Sequence, residues 1–259
     1  MNSILEKFQN REPSVGTFTH MKSTVAIESM AYTGLDYVVI DTEHCSADME
    51  FVSAAITAAG SAGIDPLVRI NEISRSAVLR PLDLGAKGLI VPAVETTEQV
   101  RQLIQYAKFA PLGNRGFCPT RDGGWNYAEN AAHGAAAYME DCNRQTLLLP
   151  QCETAGCLAH IEEIAAMDGV DGIFVGPLDL SIALGCPMQL DTPQMLDALG
   201  RIRAACRAAN KPSFIFCGDA KAAKANLAAG FDSVTTGLDM LMYIQSYRSM
   251  VAEILSRDA

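Results

Sequence analysis

Eight short apolar runs, separated by stretches of helical periodicity, leave this chain few architectures. In order they are SVGTFTH (14–20), LDYVVID (35–41), DPLVRI (65–70), GLIVPAV (88–94), TLLLPQ (146–151), GIFVG (172–176), PSFIF (212–216) and FDSVTT (231–236). Their β-branched and aromatic content favours extended backbone, and several lack polar alternation, as parallel strands buried on both faces do. Between and after them, helical patterns occupy 23–33, 46–60, 72–84, 96–109, 154–167, 191–209, 219–229 and 238–256. Repeated βα units predict an α/β fold, and eight of them in 259 residues fit a TIM (β/α)8 barrel better than a doubly wound open sheet. Polar groups recur at the strand ends: His20, Asp41 to His44, Arg69, Glu95, Gln151 to Glu153, Asp179, Cys217 to Asp219 and Asp239. In a barrel such residues project from the C-terminal face, where distant parts of the chain share one cleft.

The main interruption is 110–144, which opens APLGNRGFCPTRDGGWN and continues into AENAAHGAAAYMED. Its Pro, Asn and Gly residues predict an elaborated loop after the fourth strand, and its Ala-rich part a short surface helix weakened by a Gly. Few apolar anchors and no linker mark a boundary, so one domain over 1–259 is expected. The last helix carries Leu238, Leu241, Met242, Ile244, Tyr247 and Met250 without a basic polar face, which suits packing on the barrel or another subunit rather than on a membrane.

The net charge of −10 and the lack of a Lys/Arg cluster argue against nucleic acid as a partner. The start MNSILEKFQNREPS lacks the apolar core of a signal peptide, and no apolar run reaches the roughly 18 residues of a membrane span. A soluble, cytoplasmic protein is expected. The eight cysteines are dispersed without a CxxC pair and read as reduced structural thiols. No GxGxxG or GxxxxGK[ST] segment supports nucleotide chemistry.

Glu153 and Asp179 follow successive strands and can converge on one cation. Two oxygen ligands, completed by water and a bidentate substrate, suit Mg²⁺ or Mn²⁺ better than a thiolate-selected metal; helix capping and a turn are the competing roles. Arg69 ends an apolar strand, where its planar fork can grip a carboxylate and steady enolate charge, or make a structural ion pair. His44 can exchange a proton near neutral pH with Asp41 as its orienting acceptor. Glu43 is an alternative partner, or a ligand to a metal-associated water. The stretch GIFVGPLDLS offers backbone N–H groups near Leu178 and Asp179 to a substrate carboxylate, unless it is only a tight connector.

The ordered pieces DTEH (41–44), LVRI (67–70), LDLGAKGLIVPAVET (82–96), QCET (151–154) and DGIFVGPLDLS (171–181) resemble the HpcH/HpaI aldolase family across most of the chain. The resemblance is to its class II, metal-dependent pyruvate aldolases, which reversibly cleave 4-hydroxy-2-oxo acids to pyruvate, or a related 2-oxo acid, and an aldehyde. It implies a divalent ion on Glu153 and Asp179, Mg²⁺ or Mn²⁺ foremost and Co²⁺ as a third choice. It implies that Arg69 holds pyruvate and its enolate, that His44 transfers a proton with Asp41 behind it, and that Gln151 assists at the pyruvate oxygen. The backbone near Gly176, Leu178 and Asp179 would receive the carboxylate, and Asp83 would enter a neighbouring subunit's site. The family resemblance also implies a terminal helix exchanged at a dimer interface, with a dimer or a trimer of dimers as the assembly.

The resemblance is interrupted where substrate choice is made. The loop keeps Gly113 to Gly116 in a GxRG piece but continues through Asp122, Gly123, Gly124 and Trp125, unlike the sugar-acid aldolases. Arg121 is a candidate for a distal carboxylate, with a solvent-facing role as its rival. Phe216 is bulkier than the aliphatic residue familiar near that position. A different acceptor pocket or oxaloacetate decarboxylation would account for both. No Lys stands at a strand end for a Schiff base. A noncatalytic small-molecule-binding barrel is the alternative of a different class, and a structural oligomer a third; convergence of Glu153 and Asp179 discriminates them from the enzyme.

Overall fold

The computed structural model describes residues 2–255. Met1 and residues 256–259, which include the expected last residue of the terminal helix and the ends of the 1–259 domain, lie outside the described residues. The strands are β1 (Ser14–Thr19), β2 (Tyr37–Asp41), β3 (Asp65–Arg69), β4 (Gly88–Val91), β5 (Leu147–Cys152), β6 (Ile173–Val175), β7 (Ser213–Cys217) and β8 (Ser233–Leu238). They pair in parallel and in sequence order, and β8 closes on β1. The result is the expected eight-stranded α/β barrel.

The helices are α1 (Ser3–Asn10), α2 (Thr24–Met30), α3 (Met49–Ala62), α4 (Arg75–Leu84), α5 (Thr97–Ala107), α6 (Ala135–Gln145), α7 (Ala155–Ala159), α8 (Ile161–Ala166), α9 (Pro177–Ala183), α10 (Pro193–Ala208), α11 (Ala220–Ala228) and α12 (Asp239–Ile254). The helices depart from the periodicity reading in three places. α1 precedes the barrel, and its start is fixed by Asn2, whose side chain accepts from the N–H groups of Ile4 and Leu5. α9 occupies what reads as a connector. The expected helix 154–167 turns at His160, where the backbone leaves the helical region, so α7 and α8 are separate. α7 presses on the 93–96 loop: a Cβ on Gly156 would lie 2.4 Å from the Glu95 carbonyl oxygen, an approach that only glycine permits.

The two-residue period of the strands explains both cores. Tyr37, Val39, Leu67, Ile90, Leu147, Leu149, Phe174 and Phe214 point inward and fill the barrel with Phe18 and Ile4. Their neighbours Val38, Ile40, Val68, Leu89, Val91, Leu148, Ile173, Val175 and Ile215 point outward and pack under the helices. Gly16 pairs with Tyr37, and a Cβ there would lie 2.1 Å from the Tyr37 ring. The Tyr37 hydroxyl meets Ser233 Oγ at 2.9 Å and Thr235 Oγ1 at 2.7 Å, which satisfies a phenol buried in the barrel.

Residues 110–144 contain two single 3-10 turns and α6. The helix expected within 128–141 begins only after Gly134, whose φ of +93° the preceding Ala-rich residues would not adopt cheaply. Lys108, fully buried, ties down both ends of the segment: its Nζ lies 2.7 Å from Asp171 and donates to the carbonyls of Thr146 at 2.7 Å and Asn143 at 3.0 Å. α12 contacts β1 and β8, and Asp239 is its one buried residue among those described. Leu241, Met242, Ile244, Tyr247, Met250 and Ile254 are exposed along it. No helix of the described residues is long and apolar enough to cross a membrane, and all eight cysteines are free thiols.

Candidate active site

The inward period of the strands continues past the apolar core and delivers polar side chains to the mouth. Asp41 follows Tyr37 and Val39, Arg69 follows Leu67, Gln151 and Glu153 follow Leu147 and Leu149, and Gly176 follows Phe174. These ends enclose a cavity of about 210 Å³ whose lining includes His20, His44, Arg69, Gln151, Leu178 and Asp179. Phe18, Phe174 and Phe216 make its apolar wall with Leu238. Phe18 meets Phe174 and Phe216 edge to face, at centroid distances of 6.1 and 5.8 Å.

Arg69 and Asp41 stand side by side in the β2–β3 register. The guanidinium donates through Nε to Asp41 Oδ1 at 2.9 Å and through Nη2 to Oδ2 at 2.7 Å, a bidentate fork. It lies 4.7 Å from the Phe18 ring centroid, and Nη1 lies 3.2 Å from Glu43 Oε2. Asp41 is fully buried. Burial pushes its carboxyl up, but the hydrogen bonds and charge of Arg69 outweigh that and hold it below the usual aspartate range.

Glu153, Glu43 and Asp179 form a second acidic group. Burial raises the carboxyls of Glu153 and Glu43 above the ordinary range, and each is raised further by the other nearby acids, Asp179 among them. Glu153 Oε1 accepts from the Ala93 N–H at 2.7 Å, and its other oxygen accepts from the Gln151 side chain. Glu43 Oε2 and Gln151 Oε1 are buried without a hydrogen bond. A Cβ on Gly176 would lie 2.6 Å from Glu153 Oε2, so the bare backbone there keeps the acid in place. A divalent ion fits this chemistry: it would neutralise acids that repel one another and offer the unpartnered Gln151 Oε1 a positive charge to face. Among the described residues no three His, Cys, Asp or Glu group as a metal cluster.

Leu178 and Asp179 lie in the first turn of α9, where N–H groups have no partner within the helix. His44 also lines the mouth, but Asp41 does not orient it: the expected Asp41–His44 pair is replaced. His20 Nε2 lies 2.7 Å from Asp41 Oδ2 and the Glu43 N–H donates to Oδ1 at 3.0 Å, so with Arg69 the carboxylate is fully engaged. His44 is 61% exposed, and its nearest acid is Glu43, at 3.6 Å. Asp83 and Arg121 also stand apart from this cavity. They line a separate surface concavity with Trp125; Arg115 donates to Asp83 at 2.9 Å and Arg121 to the Leu84 carbonyl at 2.8 Å. Sequence reasoning noted His20 and Asp239 only as strand ends. Their order along the chain says nothing of the closure of β8 on β1 that brings them together.

The chain is similar to known proteins in sequence and in fold. The family model of HpcH/HpaI aldolase/citrate lyase matches residues 14–246. The hydroxypyruvate/pyruvate aldolase of Rhizorhabdus wittichii is 31% identical over 255 residues, covering 98% of each chain. The 2-keto-3-deoxy-L-rhamnonate aldolase of Klebsiella pneumoniae is 31% identical over 266 residues, covering all of this chain and 97% of its own. A crystal structure of an HpcH/HpaI aldolase/citrate lyase family protein from Burkholderia cenocepacia superposes with a TM-score of 0.87 at 30% identity, covering 98% of this chain and 99% of that one. With the barrel, its acidic mouth and these matches in agreement, the chain belongs to the HpcH/HpaI aldolase/citrate lyase family of lyase-type enzymes.

Proposed function

We propose that the protein is a metal-dependent carbon–carbon lyase that reversibly cleaves a 4-hydroxy-2-oxo acid into pyruvate, or a related 2-oxo acid, and an aldehyde. The observation that carries the reading is the meeting of Arg69 and Asp179 in the lining of one small cavity, beside the buried carboxyls of Glu153 and Glu43, which Asp179 pushes up further. Glu153 and Asp179 would hold Mg²⁺ or Mn²⁺, with Co²⁺ a third candidate. When bound, such an ion supplies electrophilic polarisation of a 2-oxo group. Arg69 disperses negative charge as the enolate forms, while Asp41 fixes the Nε–Nη2 edge of its fork and Glu43 stands beside Nη1. Gln151, through its side-chain N–H, and the first turn of α9 at Gly176, Leu178 and Asp179 orient the oxo-acid end. Proton transfer belongs to a histidine of the mouth, and the DTEH motif nominates His44.

The activities of the relatives, on hydroxypyruvate/pyruvate and on 2-keto-3-deoxy-L-rhamnonate, support the 2-oxo-acid class. Oxaloacetate decarboxylation is a second reading, favoured by the aromatic wall of Phe18, Phe174 and Phe216, which narrows the acceptor side. In the assembled enzyme, a neighbouring chain covers the exposed apolar face of α12, and Asp83 with Arg121 serves a neighbour's site. The test is a chelated and metal-restored assay of 4-hydroxy-2-oxo acids and oxaloacetate, with pyruvate and aldehyde measured separately. Metal-dependent pyruvate release with equimolar aldehyde is expected. Release from no substrate under any metal condition would reject the reading.

A further inference from the structure

We infer that the face of the barrel opposite the mouth carries a binding site for a small organic phosphate ester, independent of the reaction proposed above. β1, β7 and β8 end at the mouth. The segments that lead into them, 11–13, 210–211 and 230–232, line a concavity of about 910 Å³ at the other end of the barrel. Its charged residues are four cations, Arg11, Arg203, Arg207 and Lys211, against two carboxylates, Glu12 and Asp232. In a chain of net charge −10 this local excess of positive charge calls for a partner.

The fold engages only part of this set. Lys211 Nζ donates to the carbonyls of Ala165 and Met167, both at 2.7 Å. Asp232 accepts from the N–H and Oγ of Ser213, both at 2.8 Å. On α10, Arg201 holds Glu162 through Nε and Nη2, both at 2.6 Å, whereas the side chains of Arg11, Arg203 and Arg207 make no hydrogen bond or ion pair among the described residues. Arg203 and Arg207 form an i, i+4 pair of like charges on that helix, which is unfavourable until an anion bridges it. The 230–231 turn carries both heads: the Arg203 guanidinium lies 5.2 Å from the Phe231 ring centroid, and a Cβ on Gly230 would lie 3.3 Å from Arg207 Nη2. Arg11 and Asn210 follow α1 and α10 with φ of +60° and +54°, positions that favour glycine. Glycine would close either helix but would leave no donor on the rim. Arg207 also answers the dipole at the end of α10, a role that accounts for one of the three free guanidinium groups.

The ligand class follows from charge and size. Residues four apart on a helix have Cβ atoms about 5–6 Å apart, so one phosphoryl group can take a planar fork from each arginine. A phosphomonoester carries about −1.5 to −2 near neutral pH, which answers the excess of two cations; a single carboxylate does not. The concavity is far larger than a bare phosphate ion fills. Phe8, Leu227 and Phe231 give it apolar surface beside the amides of Gln9 and Asn210, so an organic body accompanies the phosphate. The site shares no residue with α12 or with the concavity of Asp83 and Arg121, the two surfaces given to neighbouring chains in the proposed assembly.

The experiment is calorimetric titration of the full chain with ribose 5-phosphate, 5′-AMP, inorganic phosphate and citrate. At least one ester binds, one per chain, more tightly than inorganic phosphate or citrate. The double variant R203Q/R207Q weakens ester binding by about tenfold or more, the scale of lost charge-assisted hydrogen bonds, while R201Q on the same helix and R69K at the mouth stay within about twofold of wild type. E12Q, which removes the free acid of the rim, tightens binding by about two- to fivefold. Several results overturn the inference: no binding of either ester at millimolar concentration, inorganic phosphate or citrate bound as tightly as the esters, unchanged affinity in R203Q/R207Q, or equal loss in R201Q or R69K. A smaller mass of R203Q/R207Q by light scattering also overturns it, because the arginines then serve a subunit contact. If the double variant fails to fold, R11Q and E12Q at the exposed end of α1 decide, the first by weakening binding and the second by tightening it.

Discussion

Replacing Asp41 by Asn tests whether the mouth is held together by one buried charge. Asp41 accepts from Arg69 Nε at 2.9 Å, Arg69 Nη2 at 2.7 Å and the Glu43 N–H at 3.0 Å, and pairs with His20 Nε2 at 2.7 Å. The substitution preserves the shape of the side chain, but one carboxylate oxygen becomes an NH₂ group facing Arg69 and His20 donors. About two charge-assisted hydrogen bonds are lost, each contributing roughly 1.5–3 kcal/mol. Stripping a buried ion of its partner costs about 3–5 kcal/mol. Arg69 keeps Glu43 at 3.2 Å, which places the expected loss near the lower end, about 3 kcal/mol. At about 2–4 °C per kcal/mol for a chain approaching this size, Tm falls by roughly 6–12 °C. The difference depends on pH with a definite sign. Because the folded carboxyl is held below its unfolded value, its contribution is complete above the unfolded aspartate range near about 3.9 and disappears as pH falls through the lower folded pKa. Thermal melts of D41N and wild type from pH 7.5 downward should therefore converge in acid. A D41N protein that melts within about 2 °C of wild type at pH 7.5, or a gap that persists at the lowest pH, would refute the reasoning.

Four further outcomes follow from the same structure. Gly16→Ala places a methyl carbon 2.1 Å from the Tyr37 ring and should destabilise by at least about 1–3 kcal/mol in urea titration; an unchanged midpoint contradicts the packing. R69K keeps the charge but not the fork, so kcat/KM for pyruvate release should drop by about 10²–10³-fold; near-normal kinetics would take Arg69 out of the site. E153Q and D179N should each weaken Mn²⁺ binding by at least about tenfold in calorimetry, and retention of affinity in both would place the ion elsewhere. The double substitution L241E/I244E should lower the mass seen by light scattering while leaving the far-ultraviolet spectrum of the barrel intact, whereas an unchanged mass would free the α12 face of any role in assembly.

The barrel was legible because its causes are local. Apolar strands at regular spacing have one parallel way to bury both faces in eight βα units, and inward-facing Leu67, Leu147 and Leu149 already imply that Arg69, Gln151 and Glu153 reach the same mouth. α1 and α9 escaped that reading because helices of eight and seven residues are shorter than the stretch over which a helical period shows itself. The motif DTEH suggested a pairing within four residues, yet in the fold a β-strand end points Asp41 inward and leaves His44 on the exposed side.

The sequence by itself therefore determined the eight strands, the inward stripe on each of them and the identity of the acids and Arg69, since these follow from residue periodicity and side-chain chemistry. Only the tertiary structure decided which imidazole Asp41 holds, and that Asp83 and Arg121 lie outside this cavity. Those outcomes depend on closure of β8 against β1 and on the course of the 110–144 segment, where residues far apart in the chain compete for one buried carboxylate and geometry selects among them.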